Sequence, residues 1–332
     1  MPKTALVIGA TGGIGSETVL ALQAHGWRVR AMNRNPGEAA RRFRRLGAIE
    51  WVEGDSMKPG DVIRAASGVQ IIFHGANPAG YKNWKGTIVP MMRSTIEAAR
   101  ASGARILLPG TLYNFGPDAW PVVSSVSPQN PLTRKGRIRV GMEEMLAREI
   151  ERGGVRAIIV RAGDFFGPGL GNSWFASAIA RKGKETAFSL YPGSRHVGHS
   201  WAYLPDLAET FARIADREAE LPAFDVFMFE GHWFERGVEI SHAVGRAIGK
   251  PDMPVRRFPW PLFYLAAPFV GFCREVIEMR YLWKVPIRLD NRKLVAFLGV
   301  EPHTDTDRAI RSALQGVADL QPEPEPEAVA IR

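Results

Sequence analysis

The chain opens with "TALVIGATGGIGSETVLALQAHG", residues 4–26, and this stretch constrains the fold more than any other. An apolar run ends in glycine, three glycines follow at Gly9, Gly12 and Gly15, and helical periodicity then runs to a glycine stop at Gly26. A strand, a glycine turn and a helix in that order form the first half of a βαβ unit. Gly9 permits the tight turn, Gly12 lets the main chain approach a pyrophosphate, and Gly15 lets the helix lie close to the sheet. The N–H groups of the first helical turn are then free to face phosphates. The residues expected to hold a dinucleotide here are Gly9, Thr11, Gly12, Gly13, Ile14 and Gly15.

The same alternation continues downstream. "WRVRAMNR", "IEWVEGD", "QIIFHGA", "ARILLPG" and "RAIIVRAG" read as strands, separated by helix-length segments such as "VPMMRSTIEAARASG" and "GMEEMLAREIERGG". Regular strand–helix alternation predicts an α/β protein with a doubly wound parallel sheet covered on both faces. After residue 165 the pattern loosens into an amphipathic helix, "DLAETFARIADRE", one more buried strand, "FDVFMFEG", and helical pieces broken by proline. The expected organisation is a dinucleotide-binding domain over 1–165, with 201–231 returning to it. A smaller, mainly helical substrate domain is expected over 166–200 and 232–320. The Pro/Glu-rich tail, 321–332, is expected to be disordered.

Charge and cysteine usage bound the setting. The net charge of +9 could point to nucleic acid, but the arginines are scattered and no nucleic-acid-binding motif is present, so nucleic acid is not an expected partner. A basic surface that draws in an anionic cofactor is the expected use. The single cysteine, Cys273, rules out a disulfide within the chain and fits a reducing cytoplasm. The N-terminal residues run straight into a strand-like apolar stretch, so no signal peptide is expected. The longest apolar stretch, "FPWPLFYLAAPFVGFC", is too short and too proline-broken to span a bilayer; a packed helix or substrate wall is expected, with docking on a membrane surface the lesser alternative. A small-molecule substrate is the expected partner, and a second copy of the chain, as a homodimer, is a candidate one.

The second strand ends at "AMNRNP". A carboxylate at this position would bond the ribose diol of NAD and repel a 2′-phosphate. Asn33 and Arg34 stand there instead, and a guanidinium can pair with a phosphate, so NADP(H) is expected over NAD(H). Asp55 and Ser56, after the third strand, are placed to meet the adenine.

Five stretches, "GATGGIG", "EGDSMKPGDV", "IIFHGANP", "RAGDFFGPG" and "SWAYLPDLAET", resemble the extended short-chain dehydrogenase/reductase family, which includes the epimerase/dehydratase group. They occur in family order from residue 7 to about residue 210, and "FDVFMFEG" adds a weaker match. The resemblance implies that Gly75, Ala76 and Asn77 lie beside the cofactor. It also implies a Ser or Thr after the fifth strand and a Tyr-x-x-x-Lys pair on the next helix. Thr111 occupies the hydroxyl position. With Glu143 as the family's Glu four residues beyond the Lys, Arg139 falls at the Lys position and Lys135 at the Tyr position, in "NPLTRKGRIRVGMEE". The expected tyrosine is absent. The isoflavone-reductase-like enzymes also lack it but keep the lysine, so the chain departs from them too.

Arg139 can hydrogen-bond a ribose and hold positive charge near the nicotinamide. Lys135, four residues earlier on the same helix face, would lie beside that cation and the oxidised ring. Partial burial there would favour the neutral amine, which can serve as acid or base. Tyr113, two residues after Thr111, offers a second hydroxyl if the segment stays extended. The catalytic candidates are therefore Thr111, Tyr113, Lys135 and Arg139. On the substrate side, the resemblance implies an arginine before "WAYLPD" in nucleotide-sugar enzymes; His199 stands in its place. His196 and His199 lack a nearby carboxylate or cysteine in sequence, so no metal site is expected. Three functions fit: a reductase or dehydrogenase of a small carbonyl or alcohol, a nucleotide-sugar epimerase or dehydratase, and a non-catalytic NADP(H)-sensing regulator.

Overall fold

A computed structural model of the chain describes residues 3–77, 83–171, 173–181 and 187–318. The tail expected to be disordered lies outside the described residues. Seven parallel strands form the main sheet: β1 Thr4–Ile8, β2 Arg28–Asn33, β3 Glu50–Glu53, β4 Ile71–His74, β5 Arg105–Gly110, and two further strands, Arg156–Arg161 and Phe224–Met228. In space the order is β3, β2, β1, β4, β5, Arg156–Arg161, Phe224–Met228. The central strands β1, β4 and β5 are apolar almost throughout because both faces are covered, whereas β2 and the edge strand β3 carry arginine or glutamate and are more exposed. Alternate residues of β1 go to opposite cores: Ala5 and Val7 to one, Leu6 and Ile8 to the other.

The helices that follow in the chain are α1 Gly13–Ala24, α2 Pro36–Arg42, α3 Pro59–Ala65, α4 Trp84–Ser102, α5 Arg134–Glu151 and α6 Leu204–Asp216. α1 and α6 bury Val19, Leu22, Leu207 and Phe211 on one face of the sheet. α3, α4 and α5 bury Val62, Met92, Ile96, Met142 and Leu146 on the other. The strand Phe224–Met228 pairs with Arg156–Arg161, which brings the late chain back to the sheet.

The C-terminal part is mostly helical: α7 Glu239–Ala247, α8 Trp260–Ala266, α9 Gly271–Glu278, and the helices Arg292–Leu298 and Thr306–Ala318. A third core joins Ile240 and Val244 of α7 to Met279, Leu282, Trp283 and Ile310, whereas Leu294 packs into the core on the α1 and α6 face of the main sheet. The strand His199–Tyr203 pairs with Asp164–Phe166 and His232–Phe234 in a small separate sheet, and not with the main one. This small sheet carries two of the side chains described next.

Candidate functional site

The chain passes from β1 outward to β2 and β3, then returns to the other side of β1 as β4. Loops leaving the carboxyl ends of β1 and β4 diverge at that reversal and open a crevice. The crevice is built on close main-chain contact. Gly9 has φ +90°, and a Cβ there would come within 2.7 Å of the Gly75 carbonyl carbon. A Cβ on Gly15 would come within 2.0 Å of the Gly9 oxygen. α1 is capped by Gly12, with no side-chain cap and no acidic residue in its first turn. Its leading amides therefore carry the helix's positive end unneutralised, and Gly12, Gly13 and Ile14 line a cavity of about 490 Å³. The geometry fits a pyrophosphate.

From the glycine loop the cavity runs past His74, Gly75, Ala76, Asn77, Thr111, Tyr113 and Arg139. Thr11, Asn33, Arg34, Asp55 and Ser56 do not line it. Asn33 closes β2, and its Oδ1 accepts the Asn35 N–H at 2.8 Å. Arg34 is exposed. Asp55 Oδ1 accepts the Met57 N–H at 2.9 Å, while the Asp55 N–H donates to Asp61 at 3.1 Å.

The part of the cavity after β5 is held by a buried polar network. Thr111 follows β5, and its hydroxyl donates to Asn114 Oδ1 at 3.1 Å. Asn114 donates to Glu143 Oε1 at 2.9 Å, and Arg161 grips both Glu143 oxygens while also donating to the Thr111 carbonyl at 3.2 Å. A bidentate buried pair of this kind fixes the loop after β5 against α5. Arg139 donates to Asn77 Oδ1 at 3.1 Å and lies 5.1 Å over the Trp84 ring; Tyr113 meets the same ring at 6.2 Å. The Thr95 hydroxyl donates to the Met91 carbonyl, so it accepts from His74 Nδ1 at 2.8 Å and assigns the proton to that nitrogen. Burial, and secondly the Arg139 charge, push the His74 imidazole down to about 3, so it stays neutral.

Thr111, Tyr113 and Arg139 thus share one cavity wall, and Lys135 does not join them. Its side chain is 2% exposed, and Nζ lies between the carboxylates of Glu275 and Glu278, 2.8 Å from the latter. The cationic surroundings expected for Lys135 are not there: its partners are carboxylates. Glu278 also accepts the Lys135 N–H at 2.9 Å, supplying the acidic group that the basic first turn of α5 lacks. Burial alone would raise the Glu278 carboxyl, but its bonds to Lys135 more than offset this and hold it below the ordinary range. Lys135 is a strap between α5 and α9.

Beyond Thr111 the cavity meets a pair the sequence reading did not join. His199 Nε2 bonds Asp164 Oδ2 at 2.8 Å, and the imidazole stacks on Trp283 with centroids 4.0 Å apart. Both residues line the cavity. They meet because the strands that carry them pair in the small sheet, with Asp164 opposite Trp201. Nothing in a separation of 35 residues signals this. The far end is apolar, lined by Trp174, Phe258, Phe263, Phe272, Val276 and Met279.

Comparison with known proteins gives three kinds of similarity. Solved structures share the fold over nearly the whole chain. UDP-glucose 4-epimerase from Bifidobacterium longum, in complex with NAD+ and UDP, is 16% identical with TM-score 0.73, covering 95% of this chain and 98% of that one. UDP-glucuronic acid 4-epimerase from Bacillus cereus, with UDP-glucuronic acid and NAD, is 14% identical with TM-score 0.75 at the same coverage. A curated relative, ceramide reductase of Caulobacter vibrioides, is 34% identical over 109 residues, 32% of this chain and 34% of the relative, so the chain matches about a third of its length.

The expected preference for NADP(H) is corrected by these structures, which hold NAD. That expectation rested on Arg34, which is exposed and does not line the cavity. No helix among the described residues is long and apolar enough to cross a membrane. The model of the NAD dependent epimerase/dehydratase family matches residues 5–228. With the glycine crevice, the sheet reversal and that match together, the chain belongs to the NAD dependent epimerase/dehydratase family.

Proposed function

We propose that the chain is an NAD(H)-dependent oxidoreductase acting on the carbonyl or alcohol of a largely apolar substrate. The observation that carries this reading is the graded lining of the cavity. Main-chain amides and Arg139 line the cofactor end, and aromatic and aliphatic side chains line the other. Arg139 is the only Lys or Arg lining the cavity among the described residues, and Asp164 faces its substrate end. A diphosphate would need cations there and would meet a carboxylate instead. The similarity to a ceramide reductase, whose name joins a reductase to a lipid, supports the same reading.

Bound NADH would supply the hydride. Arg139 binds the nicotinamide ribose. Thr111 and Tyr113 hold the substrate oxygen, and the Tyr113 hydroxyl moves the proton that the family's missing tyrosine would have moved. The Asp164–His199 pair hydrogen-bonds a second polar group of the substrate. Lys135 takes no part in the chemistry.

The nucleotide-sugar epimerase or dehydratase reading draws wider support from the comparisons than a small, soluble carbonyl does. The family's description names epimerases, and solved structures of this fold hold UDP-sugars. One assay separates the two. Purified protein is given NADH and ketones of graded chain length, and in parallel UDP-glucose or UDP-glucuronic acid. The expected result is NADH oxidation that rises with chain length and no thermal stabilisation by UDP-sugars. Epimerisation of a UDP-sugar would overturn the proposal, and NADH binding without any turnover would return the chain to the regulator reading.

A further inference from the structure

The hairpin made by α8 and α9 presents an apolar surface that the protein itself does not cover. Leu265 is 74% exposed and Phe269 87%, with Leu262, Tyr264, Val270 and Phe272 beside them. From Pro259 to Cys273 no residue carries a charge. Such a contiguous patch on an otherwise basic protein is a docking surface. The hairpin is held rigidly in this pose. Arg274 donates to the Ala267 carbonyl at 2.8 Å, at the end of α8, and Arg280 donates to the Tyr264 hydroxyl at 3.0 Å. The exposed side chains are therefore displayed on a fixed frame.

A second cavity, of about 820 Å³, adjoins this patch. Leu262 and Pro261 form its apolar wall, and Arg195, Arg257, Arg280 and Lys284 form its cationic one. No Asp or Glu lines it among the described residues. Arg257 and Lys284 make no side-chain hydrogen bond or ion pair with any described residue, so their charge is available to a ligand. The same hairpin also reaches inward: Phe263, Phe272 and Val276 line the substrate end of the main cavity.

We propose that the α8–α9 hairpin docks on an anionic phospholipid bilayer, with its apolar residues in the headgroup–acyl boundary and Arg257 and Lys284 on lipid phosphates. Apolar side chains beside unpaired cations are the combination that binds such an interface. Docking places the mouth of the main cavity against the bilayer, so the substrate is a membrane lipid taken directly from it. That last step rests on the oxidoreductase reading above; the docking does not.

Sedimentation of the full chain with vesicles tests this. Phosphatidylcholine vesicles containing phosphatidylglycerol should bind the chain about tenfold tighter than phosphatidylcholine alone, with salt weakening the difference. Leu265→Asp with Phe269→Asp should lower vesicle binding by about tenfold or more, while NADH binding and the melting temperature are kept because both side chains are exposed. Arg257→Glu with Lys284→Glu should remove the preference for anionic vesicles. A chain that ignores both vesicles, or a double aspartate variant that binds like the parent, overturns the proposal. So does a dimer that the aspartate variant dissolves in sedimentation equilibrium, with no vesicle binding: the face would then belong to a second copy. Vesicle binding without NADH oxidation would sink the oxidoreductase reading and leave the docking standing, and turnover of apolar ketones without vesicle binding would do the reverse.

Discussion

Lys135 holds two carboxylates at once, and its removal leaves Glu275 and Glu278 facing each other without a cation. Breaking a buried pair costs about 3–5 kcal/mol; with both carboxylates partly exposed, Lys135→Met should cost near the lower end, read from urea denaturation. Turnover by the folded fraction should be unchanged. Tyr113→Phe should do the opposite, lowering kcat by about 10²–10³ with NADH affinity and melting temperature unaltered. Arg34→Ala should leave NADH binding within about twofold, since an exposed guanidinium contributes little. The sequence shows that Lys135 and Arg139 share a helix face, but not what waits at each turn. Arg139 meets Asn77 and Trp84 at the crevice, whereas Lys135 meets Glu278, 143 residues away. Helical spacing carries no information about a partner so distant.

The elements themselves were largely legible, because a parallel sheet demands long apolar strands separated by helices. α4 is an instructive exception. Pro90 suggests a helix beginning near Val89, yet α4 starts at Trp84 and carries the proline inside. The carbonyl four residues before Pro90 belongs to Gly86, in the first turn, where loss of one bond costs little. That early start places Trp84 under Arg139. The Asp164–His199 pair was illegible for a different reason: it depends on strand pairing in the small sheet, and nothing in either strand's own pattern selects that partner. Two buried imidazoles make a prediction at this scale. Burial is the main cause that pushes His74 down to about 3 and His232 to about 4, from an ordinary 6.5. The unfolded chain then binds protons more readily than the folded one. Stability should be complete above about pH 6.5 and fall as pH drops towards 4 and then 3. Thermal melts across that window should show the slope, and His74→Gln should flatten it.

At the scale of the whole molecule, the C-terminal part is fastened to the sheet domain by carboxylates that accept main-chain N–H groups. Asp206 takes the Thr304 N–H at 2.7 Å, and Glu301 takes those of Glu230 and Gly231 at 3.0 and 2.8 Å. Glu278 does the same for the start of α5. Asp206→Ala should strand two donors and Glu301→Ala three, the Asn291 amide included, and each should lower stability by about 1–3 kcal/mol, measured by denaturant unfolding. The fastening at α5 reaches furthest. α9 supplies Phe272 and Val276 to the cavity mouth, and the lysine strap ties that helix to the one bearing Arg139. An entrance anchored in this way has a set bore and cannot swing like a door. Molecules are admitted by girth and by how readily two rings, Phe263 and Phe272, step aside, so slim, unbranched chains should pass and bulky headgroups should be left at the threshold.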